Sequence, residues 1–319
     1  MMKQRTKKWL LTAGALVLFG MLVFVVTMCV AGWDFKKLST EKYETRTYEP
    51  DAAFSRIRVQ TDTANLAFLP SEDGKCRVVC YERESLRHTV SAEADVLTVR
   101  AVDERKWQIG VAFESDRITV YLPDAEYAAL TVAEKTGDVE IAAGLRFGDI
   151  DISVSTGDVR CRAAVAGSAR IASRTGSICV ENTAVGALDL SATTGRITVT
   201  DVTCTGDVKV GVSTGRTEMQ HLSCRNVTSS GSTGTVSLQD VIAAEKLSVI
   251  RSTGDIAFSD CDASAVYAKT STGDIQGNFL TEKRFTATSD TGRVDVPRTT
   301  TGGSCELISD TGDIRMTVR

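Results

Sequence analysis

The sequence predicts an all-β protein: a single-chain β-solenoid of about ten coils of 19–20 residues, with an N-terminal β cap, preceded by one transmembrane helix. Three observations predict it. A Thr-Gly pair recurs at a nearly constant interval from residue 136 to the end. Apolar residues on both sides of each pair alternate with a period of two. An uncharged run, residues 9–32, follows a basic N-terminus.

The elements follow in chain order. Residues 1–8, MMKQRTKK, form a basic tail that stays in the cytoplasm under the positive-inside rule. Residues 9–32 carry no charge and are long enough to cross a bilayer as a helix, with Trp9 and Trp33 at its two interfaces. The run exceeds the 7–15 residues usual for the core of a cleaved signal peptide, which favours an uncleaved anchor. The expected location is therefore the cell membrane, single-pass, with the C-terminal domain extracytoplasmic. Residues 33–50 read as a polar stalk. Residues 51–127 read as a β cap, with strand patterns at Ile57–Val59, Leu66–Phe68, Arg77–Val79, Val96–Val99 and Ile118–Tyr121 but no Thr-Gly beat.

Residues 128–319 hold the repeats. The glycines are Gly137, Gly157, Gly176, Gly195, Gly215, Gly234, Gly254, Gly273, Gly292 and Gly312, at spacings of 19 or 20, each preceded by Thr. A fixed period of this size marks stacked coils. Four apolar columns lie seven and five places before each Gly and two and four places after it, beginning with Leu130, Val132, Val139 and Ile141. They break at a few places, among them Thr217, Ser229 and Gly277. A further apolar residue seven places after the Gly (Val202, Leu222, Val241, Cys261, Leu280) is expected to close the third side. Gly suits a corner because it tolerates positive φ. Coils stacked about 4.7–4.9 Å apart make a rod of roughly 40–45 Å. The last coil ends at Met316, Val318 and Arg319, so it is expected to present an open edge that meets another copy, a partner, or a cap made from the return segments.

The Thr-Gly-Asp-Val/Ile corners at Thr136–Val139, Thr156–Val159, Thr253–Ile256, Thr272–Ile275 and Thr311–Ile314, with the Ile118–Pro123 strand and Thr63–Leu66, resemble the bacterial putative-adhesin family, a domain of unknown function. The resemblance spans roughly residues 50–319. It implies a surface location and adhesion, and brings no catalytic or ligand residues with it. Some relatives resemble membrane-anchored proteins of cell-envelope stress systems.

Candidate chemistry is sparse. Asp138, Asp158, Asp255 and Asp274 stack in pairs after the corner Gly, where they serve either as turn residues or as ligands of a hard cation. Arg196, Arg216 and Arg293 interrupt that column. The outward columns two and four places before the Gly hold Ser155, Thr193, Ser213, Ser232, Ser252 and Ser271, then Ser153, Ser191, Ser230 and Thr288; this hydroxyl-rich face, interrupted by Lys135, Arg174, Ile250 and Lys269, is either a solvated sheet surface or one that binds glycan, ice-like water or a partner. Cys204 and Cys224 fall in equivalent places of adjacent coils, within the Cα range of a disulfide. Cys161, Cys261 and Cys305 fall in apolar columns. There are only two His, and no nucleophile elbow, P-loop or zinc spacing. No cofactor and no enzyme activity are expected, and a net charge of −4 argues against nucleic acid. The expected function is a membrane-anchored, adhesin-like interaction or scaffold protein. Its partner would be a surface ligand or a membrane protein. The alternatives are an accessory protein of an envelope stress system and a glycan-active β-helix enzyme.

Overall fold

The computed structural model describes residues 4–34, 41–103 and 114–319. Helix α1 spans Gln4–Ala31, and its segment Lys8–Val30 is apolar and long enough to cross a membrane. Gly32 (φ 67°) and Trp33 (φ 59°) end it in left-handed conformation, with Trp33 N donating to the Met28 carbonyl at 2.8 Å. Such a segment is compatible with a membrane anchor or a signal sequence.

All other described regular structure is β. The strands of the repeat region are β7 (Glu126–Thr136), β8 (Val139–Ile141), β9 (Arg146–Thr156), β10 (Val159–Cys161), β11 (Ala164–Thr175), β12 (Ile178–Cys204), β13 (Asp207–Thr233), β14 (Val236–Thr253), β15 (Ile256–Thr272) and β16 (Ile275–Phe279). Every ladder among them is parallel and in register by column. Leu188 pairs with Val208, Gly195 with Gly215 and Thr217 with Val236. Alternation places the four apolar columns inside. All their members are buried except Gly277 and the four residues of the Gly292 coil, Phe285, Ala287, Val294 and Val296. One inward position shifts by a residue. Phe279, not Leu280, stacks on Cys261, because the register slips between Phe258 and Cys261 at Gly277; Leu280 is left 38% exposed.

Three kinds of corner bend each coil. At the Thr-Gly corner, nine of the ten glycines have φ between 130° and 156°; Gly292 falls outside that set. Each also lies against the corner carbonyl of the neighbouring coil: a Cβ on Gly215 would sit 1.7 Å from the Gly195 oxygen. Both the dihedral and the contact exclude a side chain. Six places on, Asn182, Asp201, His221, Asp240 and Asp260 make a second corner with φ of 49–53°, a conformation that Asn and Asp tolerate best. Nine places before the Thr-Gly corner, Gly148, Gly167, Gly186 and Gly206 pack against the carbonyl or side chain of the coil below.

Residues expected in a cap split between two arrangements. β2 (Arg56–Pro70) is already a coil: Arg56–Thr63 pair in parallel with Ala129–Thr136, and Ala64 takes the place of the corner Gly. β5 (Val96–Asp103) and β6 (Asp116–Leu122) pair in parallel with the two halves of β2. β1 (Tyr43–Tyr48), β3 (Arg77–Arg83) and β4 (Leu86–Glu93) are antiparallel. Tyr43–Tyr48, assigned to a stalk by composition, is thus a sheet strand, held through β3 and by the stack of Tyr43 on Tyr81 at 5.0 Å.

At the other end the coils do not stack in chain order. β17 (Lys283–Thr291) and β18 (Val294–Asp295) form the Gly292 coil, and β19 (Gly303–Thr311) and β20 (Ile314–Val318) the Gly312 coil. β15 and β16 pair with β19 and β20, and β17 and β18 pair with the opposite edges of β19 and β20. A Cβ on Gly312 would meet the Gly273 carbonyl at 2.0 Å, and one on Gly292 that of Gly312 at the same distance. The expectation of an open last coil is therefore corrected: residues 303–318 lie inside the stack, and residues 283–295 are outermost. The connection from residue 296 to 302 folds back over this coil, Thr299 donating to the Lys283 carbonyl and Thr301 to the Glu282 carboxylate. Exposure of Val294 follows from this order.

Candidate functional site

The corner carboxylates are hydrogen-bond acceptors for the next coil. Asp158 N donates to Asp138 Oδ1 at 2.8 Å, Ser177 N to Asp158 at 2.6 Å, Asp274 N to Asp255 at 2.9 Å and Asp313 N to Asp274 at 2.7 Å. Asn65 begins the same ladder by accepting from Asp138 N. Asp138 and Asp158 are brought together, as are Asp255 and Asp274, and each carboxylate spends one oxygen on backbone. Among the described residues no three His, Cys, Asp or Glu side chains converge to hold a metal.

Cysteine chemistry is muted. Cys204 and Cys224 are neighbours in adjacent coils and both carry free thiols. Burial pushes the thiols of Cys161 and Cys261 to about 11, and those of Cys224 and Cys305 to about 12. His88 is buried against Glu82, Nδ1 to Oε2 at 2.7 Å, whereas His221 is exposed between Asp201 and Asp240.

The lateral face built by the strands before each Thr-Gly corner holds more. Its outward serines and threonines occupy the places that alternation assigns. Two concavities of about 430 Å3 each run along it and share Ser153 and Ser155. The first is lined by Gln60, Thr61, Asp62, Arg100, Glu134 and Lys135, the second by Ser173, Arg174, Ser191, Thr193, Ser213 and Ser230, among others. Glu134 is only 4% exposed. Its Oε1 accepts from Thr136 N at 3.2 Å and Ala64 N at 3.4 Å, while Oε2 has no partner; Thr61 Oγ1, equally buried, has none either. Burial lifts the Glu134 carboxyl to about 7, against the pull of those backbone donors.

Glu134 belongs to an inward column three places before the Gly that the sequence reading passed over. Ser173, Thr270 and Ser309 in that column each donate to a corner Gly carbonyl. Arg251 is its other anomaly. The guanidinium is 2% exposed and donates to Thr217 Oγ1 at 2.9 Å, Ser229 Oγ at 3.0 Å and the Ile250 carbonyl at 2.9 Å. A Cβ on Gly231 would lie 3.0 Å from Nη1. The two polar breaks in the apolar columns, Thr217 and Ser229, therefore exist to solvate one buried cation. Polar residues at an inward parity were the signal for both Glu134 and Arg251.

A third concavity, about 530 Å3, opens beside the Gly148–Gly186 column and is lined mainly by Tyr127, Ala128, Phe147, Ala164, Val165 and Val185, with Arg146 at its rim. Tyr127 lies between Phe54 and Phe147, at ring distances of 5.9 and 5.8 Å.

A long parallel stack of Thr-Gly-cornered coils, ordered by backbone ladders, defines a β-solenoid. The family model described as Toastrack DUF4097 matches residues 54–211 and 205–319, and the chain belongs to that family. Solved structures are similar to the chain at low identity. A protein described as a putative lipid binding protein from Parabacteroides distasonis is 15% identical, with TM-score 0.50, over 88% of this chain and 98% of that one. A putative adhesin from Bacteroides fragilis is 15% identical, with TM-score 0.43, over 86% and 97%. Another from Parabacteroides merdae is 14% identical, with TM-score 0.45, over 86% and 96%. No curated protein matches the chain.

Proposed function

We propose that this protein is a membrane-anchored, non-enzymatic scaffold of adhesin-like function, which holds a stiff β rod outside the membrane and binds a surface ligand on its lateral face. The observation that carries this reading is the run of parallel coil-on-coil ladders from β2 to β20 that follows an apolar helix, with polar concavities along one side. Full-length protein in lipid nanodiscs should bind whole cell-envelope fractions saturably. Calcium should leave that binding unchanged, because the corner aspartates already serve the backbone. Absence of binding with and without calcium would overturn the reading in favour of an accessory role toward another membrane protein.

The apolar concavity beside Phe147 favours a second reading, capture of an acyl chain with Arg146 toward its headgroup. The likeness to a protein described as lipid binding points the same way. A spin-labelled fatty acid that is immobilised by wild-type protein and released by Gly186→Leu would support it.

A further inference from the structure

The two ends of the stack are finished differently. At one end antiparallel strands close it, β3 on β6 and β4 on β5. At the other the Gly292 coil is outermost, and among the described residues β17 has a single ladder, to β19. A strand bonded on one side turns the alternate N–H and C=O groups away from that neighbour, so β17 presents a free edge. The same coil is unfinished inside. The position two places after the Gly is buried in the other nine repeats, whereas Val294 is 39% exposed. Phe285 and Ala287, whose columns are buried in every other coil, are only half-buried.

Strand edges are commonly blunted by Pro or by an outward Lys. β17 has no Pro, and its one Lys, Lys283, is buried against Asp262. Its outward side chains are Arg284, Thr286, Thr288 and Asp290. Arg284 and Asp290 are exposed, and neither has an ion-pair partner among the described residues. The order of these residues makes the strand complementary to itself. Laid antiparallel on a second copy about Ala287, it sets Arg284 opposite Asp290 at both ends and Thr286 opposite Thr288 between them. Moving the centre by one residue breaks the match, because Arg284 then faces Thr288 or Gly292. A parallel copy in register sets Arg284 on Arg284 and Asp290 on Asp290, and like charges directly opposite are destabilising.

We propose that a second copy of this chain docks on the Gly292 coil, the two β17 strands pairing antiparallel about Ala287 with an Arg284–Asp290 ion pair at each end. Each copy supplies the same surface, so the contact is two-fold and closes at a pair. The half-open interior of one coil, with Phe285 and Val294, is covered by that of the other. Head-to-tail stacking lacks a matching face, since the opposite end of the rod runs antiparallel. This surface is separate from the lateral face and does not depend on its ligand.

The test uses full-length protein at one copy per lipid nanodisc, so that helices in separate discs cannot meet. Sedimentation over roughly a hundredfold range of concentration should reveal particles that hold two discs. Arg284→Asp and Asp290→Arg each set like charges opposite one another, and each should weaken the pairing about tenfold or more. The double variant exchanges the charges and should restore pairing to within about threefold of wild type. All these changes are at exposed side chains, and unchanged melting temperatures exclude misfolding. Wild-type discs that stay single at every concentration overturn the proposal. So does pairing that either single variant leaves intact, which places the contact elsewhere, or pairing that the double variant does not restore. Discs that stay single but retain an envelope protein, and lose it with Arg284→Asp, give the coil a different occupant and also overturn it. Wild-type discs that bind envelope fractions while remaining single leave the lateral-face reading standing and remove only this one.

Discussion

Arg251 occupies a position where other coils bury Val154, Ala192 or Val212, and it does so without a carboxylate beside it. Burial lowers its guanidinium to about 10. Removing one of its acceptors leaves a donor unmet, so Thr217→Val should cost about 1–3 kcal/mol in chemical denaturation. Replacing the whole group, Arg251→Met with Thr217→Val and Ser229→Val, should be neutral or stabilising, since well-packed apolar sets often outperform buried charge. A triple variant less stable than Thr217→Val alone would refute this account. The polar breaks at 217 and 229 were legible in the sequence, but the cation that joins them was not: the three residues lie in different coils, and only stacking unites them. Glu134 gives a pH signature. Its carboxyl titrates at about 7 when folded and near 4.5 when unfolded, so the native state holds a proton between those values that the unfolded chain has released. Its contribution to stability is therefore greatest below 4.5, declines as pH rises through that window and is flat above about 7. The melting-temperature gap between Glu134→Gln and wild type should widen over the same window, and a gap constant from pH 4 to 8 would contradict the assignment.

At the scale of the coil, corners decide what substitutions are tolerated. Gly215, at φ 143° with the Gly195 oxygen 1.7 Å from any added Cβ, should lose about 3–5 kcal/mol as Ala. Gly211, four residues earlier on the same strand, has open space around it, and Gly211→Ala should change stability by less than about 1 kcal/mol. Denaturation of the two variants side by side separates corner from strand. The Thr-Gly corner was legible because one residue type fills it in all ten repeats from Gly137 to Gly312. The second corner was written just as regularly, at Asn182, Asp201, His221, Asp240 and Asp260, but in three residue types that share a backbone conformation and little else. The slip that buries Phe279 and exposes Leu280 arises from a local change of register at Gly277, which counting from the previous Gly cannot reveal.

For the whole molecule, the number of coils and their inward faces could be read from the sequence, but their order could not. The Gly292 and Gly312 coils carry matching columns, so either could stack on β15 and β16. The short link of residues 280–282 and the longer one of residues 296–302 accompany the interchange, and column chemistry is silent about them. One consequence is measurable. β17 and β18 pair with the rest of the sheet only through β19 and β20. Cysteines placed at Tyr267 and Glu306, which pair across β15 and β19, should therefore cross-link, whereas cysteines at Tyr267 and Thr286 should not. In a stack that follows chain order the second pair would cross-link and the first would not.

The interchange also sets a schedule. Lys283–Asp295 leaves the ribosome, and crosses the membrane if the chain is exported, before the seventeen residues that will separate it from β15 and β16. During that interval a vacant edge with the right columns lies next to it. A coil that settles there must be dislodged before Gly303–Val318 can enter, so the slow step in maturation of this rod belongs at its far tip, in an exchange of neighbours.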